Sequence, residues 1–211
     1  MKAWLKMNDY TKMLTTLESL SERKRLLLHS CCGPCSSYVI TFLSKYFDIT
    51  VLYYNPNIFP ETEYLHRKSE QKRLIEILSK EFKIDFIDGD YDYESYLTFV
   101  NKEPFIKEGG LHCYQCYLYR MEYTAKVAKK LNYDYFTTTL SVSPYKNSDY
   151  INEIGANLET KYQINYLYSN FKKQEGYKKS IELSKKYDLY RQDYCGCAYS
   201  LKERKKENES K

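Results

Sequence analysis

The sequence predicts an α/β fold, a single domain built on a parallel sheet with helices on both faces. Short apolar segments alternate with longer segments of helical periodicity, an arrangement typical of β-α-β units. The apolar segments are nearly continuous rather than alternating with polar residues, which indicates strands buried on both faces. A chain of 211 residues is also long enough to bury one hydrophobic core without disulfide support.

The individual elements follow from apolar spacing and turn residues. An amphipathic helix is predicted at residues 7–20, behind a cap at Asn8 or Asp9. The first strand is the apolar run at residues 26–28, and it ends at His29. Further strands are predicted at residues 49–54, 82–87, 135–140 and 164–168, and helices at residues 61–81, 113–131, 148–158 and 177–187, with a short helix within residues 91–110.

These elements divide the chain into three regions. Residues 1–24 are interpreted as an amino-terminal helical extension, and residues 25–201 as the α/β catalytic, metal-binding domain. Residues 202–211 (KERKKENESK) are almost wholly charged. Such a segment buries too little apolar surface to order itself, so a disordered tail is expected.

Composition restricts the partners of the protein. The formal net charge of +5 is mildly basic and leaves nucleic acid binding open. The 25 tyrosines suit stacking on nucleobases but equally suit ordinary packing. The first residues hold no apolar block of signal-peptide type, and no segment approaches membrane-spanning length. We therefore expect a cytoplasmic protein with no membrane partner.

Seven cysteines form three tight groups, and none lies outside them. They are Cys31, Cys32 and Cys35 in HSCCGPCSSY, Cys113 and Cys116 in GGLHCYQCYLYR, and Cys195 and Cys197 in RQDYCGCAYS. In a reducing compartment such groups are metal ligands or redox catalysts rather than structural bridges. A thiol–disulfide site needs two cysteines and a structural zinc site four. Seven cysteines divide more naturally between a [4Fe–4S] cluster and a second metal beside it.

The first cysteine group is expected at the carboxyl end of a parallel strand, where open α/β sheets build their sites. Gly33 lets the backbone turn tightly and Pro34 stiffens it, while Ser36 and Ser37 are expected to cap the following helix. The second group begins a helix on which Cys113, Cys116 and Arg120 share one face. 

The motifs around the cysteines are recognisable as a set. HSCCGPCSSY after the first strand, CYQCYLYR at a helix start, TTLSVSPYKN after a later strand and YRQDYCGC resemble the epoxyqueuosine reductases of the QueH type. The resemblance covers about residues 26–201. It implies a fold similar to the adenine-nucleotide α-hydrolase-like (HUP-like) fold. It also implies an oxidoreductase that reduces epoxyqueuosine in the wobble position of tRNA to queuosine.

The resemblance further implies two metal cofactors, a [4Fe–4S] cluster and an adjacent mononuclear iron. It assigns Cys113 and Cys116 to the cluster, with one member of Cys31/Cys32 and one of Cys195/Cys197. One such assignment gives Cys31, Cys113, Cys116 and Cys195 to the cluster and Cys32, Cys35 and Cys197 to the iron. In some members of the family the position matching Cys35 is aspartate, so this chain departs from that variant.

The implied reaction turns an epoxide into an alkene and water and consumes two electrons and two protons. The hypothesis is that the iron acts as a Lewis acid on the epoxide oxygen while the cluster relays electrons from an unidentified donor. Asp193 and Tyr194 are the candidate catalytic proton donors, with His29 and His112 as alternatives. A histidine beside a metal ligand is more often a hydrogen-bond partner or a packed residue.

The partner implied is tRNA, and its anticodon loop needs basic residues around the site. Candidate cations, each equally compatible with an ordinary surface charge, are Lys146, Arg120, Arg191, His66, Arg67 and Lys68. The turns at residues 55–57 and 143–146 are candidate walls of the substrate site.

Two other classes of protein compete with this interpretation. An ATP-dependent enzyme of the related fold needs a glycine-rich loop where this chain has SCCGPCSS, so no ATP is expected. A zinc-stabilised RNA-binding module would leave three thiolates unused.

Overall fold

The computed structural model describes residues 7–105 and 107–209. Five strands form one sheet with the order β3-β2-β1-β4-β5, and every neighbouring pair is parallel. The strands are β1 (Lys24–His29), β2 (Phe47–Tyr53), β3 (Ile84–Asp88), β4 (Tyr135–Thr138) and β5 (Asn165–Tyr166). The predicted parallel α/β fold is confirmed, and it is consistent with the HUP-like expectation. Because all strands run the same way, their carboxyl ends meet at one edge of the sheet.

Eight α-helices surround the sheet in the described part of the chain. They are α1 (Asp9–Ser19), α2 (Gly33–Leu43), α3 (Glu61–Leu78), α4 (Tyr93–Val100), α5 (Leu111–Lys130), α6 (Ser148–Tyr162), α7 (Gly176–Lys186) and α8 (Ala198–Glu209). Helix α1 is capped by Asn8, whose side chain accepts a hydrogen bond from the Thr11 backbone N–H. The predicted amino-terminal helix is therefore confirmed within the described residues, whereas residues 1–6 of the extension lie outside them.

Two hydrophobic cores lie on opposite faces of the sheet, as predicted. Leu26 and Leu28 of β1 belong to the core with α1, α2 and α3, while Leu27 between them belongs to the core with α5 and α6. The alternation follows from the pleat, which turns successive side chains to opposite faces. All three leucines are fully buried.

Helix α2 begins earlier than the predicted cap at Ser36 and Ser37. Its cap residue is Cys32, and Pro34 lies at the first positions of the helix, where its missing N–H costs nothing. The Ser36 and Ser37 hydroxyls instead donate to the carbonyls of Cys32 and Pro34 (both 2.8 Å). As a result Cys35 lies in the first turn of the helix, next to the two preceding cysteines.

The structure also differs from the expected disorder of residues 202–211, since α8 continues to Glu209. Lysine, arginine and glutamate are good helix formers. The helix is anchored by Tyr199, which stacks on Phe105 at 5.0 Å between ring centroids. Arg204 pairs with Asp193 (3.2 Å) and Glu207 (3.1 Å). Residues 210–211 lie outside the described residues, and the proposed region boundaries at 24/25 and 201/202 stay predictions.

No helix in the described ranges has both the length and the apolar character needed to cross a membrane.

Close packing of α6 on β5 leads to a testable prediction at Gly155. A Cβ at this position would overlap the ring of Tyr166, which is 3 % exposed. Although alanine is favoured over glycine in helices by about 1 kcal/mol, overpacking costs about 1–3 kcal/mol. We expect Gly155→Ala to lower the free energy of unfolding, measured by urea denaturation.

Gly33→Ala is the matched control, because its Cβ would meet the Glu70 carbonyl oxygen at an ordinary 3.6 Å. A Gly155→Ala protein as stable as the wild type would show that the α6–β5 packing is looser than described.

Candidate metal centre

Cys31, Cys32 and Cys35, here called the triad, lie together at the carboxyl end of β1. The three sulfur atoms are all within 4.8 Å of one another, and those of Cys31 and Cys32 are 3.8 Å apart. Thr139, which follows β4, donates its hydroxyl to the Cys31 sulfur (3.3 Å) and accepts the Cys31 backbone N–H (3.1 Å). The neighbouring strands β1 and β4 therefore position the first of these sulfurs. Three soft donors at this separation can bind one metal ion.

The three thiols of the triad differ in pKa. Hydrogen bonds from Cys31 and Cys35 lower the pKa of Cys32 well below its usual value, because they stabilise its thiolate. The same hydrogen bonds raise the pKa of Cys31 and, more strongly, of Cys35. Within the triad the hydrogen bonds thus favour the thiolate form at Cys32 over Cys31 and Cys35, and a bound cation would displace the remaining protons.

A second set, the four-cysteine group, is formed by Cys113 and Cys116 of α5 with Cys195 and Cys197 of the loop before α8. Cys113 lies within electrostatic reach of Cys116 and Cys195, and Cys197 within reach of all three of the other cysteines. Backbone N–H groups point at two of the sulfurs, from Gly109 to Cys113 (3.3 Å) and from Ser200 to Cys197 (3.4 Å).

Burial raises the pKa of Cys113 to about 12 and raises those of Cys195 and Cys197 above their ordinary value. These thiols are therefore protonated at neutral pH until a cation binds them. Binding of a metal group at this position must release protons.

The triad and the four-cysteine group differ in how closely their sulfur atoms lie together. Within the described ranges, the triad is the one group whose ligand atoms lie close enough together for a single ion. The four-cysteine group does not meet this criterion. All seven cysteines are free, and an all-sulfur donor set is the one that iron–sulfur clusters use. The residues present therefore fit a thiolate-bound metal group.

Arg67 of α3 holds the Cys195–Cys197 loop in place. Its guanidinium is buried, pairs with Glu63 at 2.6 Å, and donates to the carbonyls of Cys195 (3.2 Å) and Tyr194 (3.5 Å). Gly196 has φ +121°, and a Cβ there would lie 3.0 Å from the Arg67 guanidinium. Only glycine adopts this conformation without strain and leaves room for the arginine.

Two cations lie between the triad and the four-cysteine group. Burial alone lowers the pKa of Lys146, but the charges of Cys195 and Cys31 raise it well above its ordinary value. Burial also lowers the pKa of Arg120, but the charges of Cys116 and Cys195 raise this pKa by more. Both side chains therefore stay charged, and they would compensate the negative charge that Cys31 and Cys195 carry once a bound cation has displaced their protons.

A cavity of about 940 Å³ opens at this edge of the sheet. Cys31, Cys35 and Cys195 line it and are partly exposed, whereas the other cysteines are buried behind them. Its wall includes the predicted turns, through Asn55, Asn57, Ser143, Tyr145 and Lys146. Helix α8 contributes Glu203, Arg204, Lys206 and Glu207, which the sequence analysis assigned to a disordered tail.

Both predicted proton donors line this cavity. Asp193 is an exposed carboxylate that accepts a hydrogen bond from Arg204 (3.2 Å). The Tyr194 hydroxyl donates to the Phe59 carbonyl (2.7 Å), and burial raises the pKa of Tyr194 to about 12.

Of the two alternative donors, His29 is fully buried. Burial, followed by the charge of Arg120, lowers the pKa of His29 to about 3, so its ring is neutral. Its Nε2–H donates to the Tyr54 carbonyl (3.1 Å) and its Nδ1 accepts from the Thr138 hydroxyl (2.8 Å). His112 is 2 % exposed, and its Nδ1 donates to the Glu103 carbonyl. Neither histidine lines the cavity.

The predicted basic rim is only partly present. Lys146, Arg120 and Arg191 line the cavity, whereas His66, Arg67 and Lys68 do not. Arg67 and Arg120 are each 2 % exposed, so both are interior cations rather than rim residues. The structural role of Arg67 and the contribution of α8 were missed, because neither a buried arginine nor a charged helix has a distinctive sequence signal.

Comparisons with known proteins agree with this arrangement. A family model described as "Epoxyqueuosine reductase QueH" matches residues 26–203. A protein of that name from Staphylococcus epidermidis is 38% identical over 193 residues, 90% of this chain and 81% of the relative. The relative from Streptococcus pyogenes serotype M1 is 40% identical over 197 residues, covering 90% and 76%. The relative from Thermotoga maritima is 33% identical over 186 residues, covering 87% and 93%. With its cysteine sets at the edge of a parallel sheet, this chain belongs to the epoxyqueuosine reductase QueH family.

Proposed function

We propose that this protein reduces epoxyqueuosine in the wobble position of tRNA to queuosine, in the cytoplasm. The observation that carries the proposal is the clustering of the triad sulfurs within 4.8 Å of one another, beside a cavity that Cys31, Cys35 and Cys195 line. The family name describes this activity for the relatives. Conversion of an epoxide to an alkene and water needs two electrons and two protons, and soft metal-binding thiolates beside an open cavity suit such a reduction.

The short separations between the sulfurs of Cys31, Cys32 and Cys35 support a particular division of the ligands. The four-cysteine group, Cys113, Cys116, Cys195 and Cys197, would hold a [4Fe–4S] cluster, and the triad would hold the iron. Relative to the assignment made from the sequence, this exchanges the places of Cys31 and Cys197. The exposure of five cysteines agrees, because Cys31 and Cys35 line the cavity while Cys113, Cys116 and Cys197 are buried; Cys32 is buried and Cys195 lines the cavity, so these two do not follow the pattern.

When bound, the cluster and the iron supply electrons and Lewis-acid polarisation of the epoxide. The protein places Lys146 at the same cavity wall as the triad, and no side-chain acceptor among the described residues takes a hydrogen bond from its Nζ. We assign this ammonium group to the substrate oxygen, whose growing negative charge it would stabilise as the carbon–oxygen bonds break.

The cavity also carries acceptors for the polar edge of a base. Asn57 is 2 % exposed, and its Oδ1 has no partner among the described residues. Gln192 Oε1 is likewise unpaired. Both residues line the cavity, where they would accept hydrogen bonds from N–H groups of the modified base. Asp193 and Tyr194 remain the proposed proton donors, since both reach the same cavity.

The proposed reaction is tested by anaerobic incubation of reconstituted protein with epoxyqueuosine-containing tRNA and a chemical reductant. Nucleoside mass analysis should show loss of one oxygen atom and formation of queuosine. Protein without iron is the control and should leave the epoxide intact. Intact epoxide despite a full complement of iron would rule out the proposed function.

The two ligand divisions predict opposite results for Cys31→Ala and Cys197→Ala. Under the division proposed here, Cys31→Ala keeps the visible absorption of the cluster and loses about one iron per chain, while Cys197→Ala loses the cluster. Iron analysis and visible spectra after anaerobic reconstitution distinguish the two. The reverse pattern would restore the assignment made from the sequence.

Lys146→Met is expected to lower kcat by about 10²–10³-fold, the usual effect of removing one transition-state donor. Lys146→Arg should restore part of the activity, since it keeps the charge. Lys161→Met removes an equal charge from a surface pair with Glu122 and should behave as wild type. Single-turnover assays on protein of equal iron content measure the effect, and unchanged turnover in Lys146→Met would refute the role.

A further inference from the structure

Arg120 is a buried cation whose hydrogen-bonding capacity is not filled. It lies on α5, one turn after Cys116, and is 2 % exposed. Its Nε donates to the Cys116 carbonyl (3.2 Å), and one terminal nitrogen donates to Asn55 Oδ1 (3.3 Å). The second terminal nitrogen is buried and finds no acceptor in the described residues. An unpaired buried N–H is costly, so an acceptor outside the polypeptide is expected.

The surroundings of Arg120 indicate what that acceptor is. The charges that act on the guanidinium most strongly belong to Cys116 and Cys195, followed by the Tyr96 hydroxyl and Cys31. Tyr96 is itself 2 % exposed and lies beside Cys116, with its hydroxyl in hydrogen-bonding reach of the Cys116 side chain. The unfilled N–H of Arg120 is therefore enclosed next to a cysteine of the four-cysteine group.

A substrate atom suits the unpaired Arg120 N–H less well than a sulfur atom of a bound cluster does. Arg120 and Lys146 both line the cavity, but Lys146 is partly exposed there, whereas Arg120 is 2 % exposed and enclosed next to the buried sulfurs. Sulfur atoms of iron–sulfur clusters accept hydrogen bonds from surrounding N–H groups, and these bonds, with nearby charge, set the reduction potential.

Resting on the proposed function, we propose that the unpaired N–H of Arg120 donates to a sulfur of the cluster held by the four-cysteine group, and that its charge raises the reduction potential. Reduction adds one negative charge to the cluster, and a neighbouring guanidinium stabilises that charge more than it stabilises the oxidised form. Arg120 is a positioning residue in this role, because it acts through the cluster and not on the substrate.

The experiment compares the potential of reconstituted wild-type, Arg120→Gln and Arg120→Lys proteins by anaerobic redox titration followed by electron paramagnetic resonance. In Arg120→Gln the ratio of reduced to oxidised cluster at a fixed potential should fall at least tenfold, a shift of about 59 mV for a one-electron couple. Arg120→Lys keeps the charge and should fall between the two. Arg25→Gln removes a charge at the opposite edge of the sheet, where Arg25 donates to the Leu131 and Asn132 carbonyls, and should not change the potential.

An unchanged potential in Arg120→Gln protein of wild-type iron content would overturn the proposal. A second measurement does not depend on the folding of that variant. Wild-type protein carrying ¹⁵N-arginine should show nitrogen coupling to the reduced cluster in pulsed electron paramagnetic resonance, and the coupling should persist in Arg25→Gln. Absence of any ¹⁵N coupling would also overturn the proposal.

These outcomes are separable from those of the proposed reaction. An arginine-dependent potential in protein that leaves the epoxide intact would support the role of Arg120 and reject the reaction. Conversion of the epoxide with a potential that does not depend on Arg120 would reject the inference alone. Iron-loaded wild-type protein without any cluster signal would reject both.

Discussion

The hydrogen bonds of the buried Arg67 guanidinium fix the Cys195–Cys197 loop of the candidate metal centre. Cys195 and Cys197 come from a loop that follows the last strand of the sheet, and Arg67 fixes this loop to α3 through the Cys195 and Tyr194 carbonyls. The Phe59 N–H adds a bond to the Gly196 carbonyl (2.8 Å). Removing one partner of a buried ion pair typically costs about 3–5 kcal/mol. Arg67 and Phe59 together thus fix the loop that carries two of the seven sulfurs.

The parallel sheet supplies the second constraint. The loops after β1, β2 and β4 leave the same edge, so that the triad, Asn57 and Lys146 reach one cavity from distant parts of the sequence. The sulfurs also differ in burial. Cys31 and Cys35 line the cavity, whereas Cys113 and Cys116 are buried in the packed interior. Exclusion of water from the inner group strengthens its electrostatic interactions with the buried cations.

The sequence predicted the parts of this arrangement that depend on local patterns. The strand ending at His29, the helix containing Cys113 and the metal-binding character of the cysteines all follow from short-range spacing and side-chain chemistry. The strand order and the grouping of sulfurs depend on contacts between distant residues, which no local pattern contains. Arg67 and Arg120 were interpreted as surface cations, because burial of a charge becomes evident only when its partners are known. Helix α8 was missed because its charges suggested disorder, whereas Tyr199 and Arg204 tie it to the domain.

The cavity has a consequence for the form of any nucleic acid that uses it. The Cys31 and Cys35 sulfurs lie within a recess and not on a convex surface. A base inside a double helix is stacked above and below, and backbone on both sides keeps it from entering such a recess. A nucleotide turned outward from a loop meets no such obstacle. The shape of the recess thus separates unpaired from paired RNA before any contact with an individual base is made.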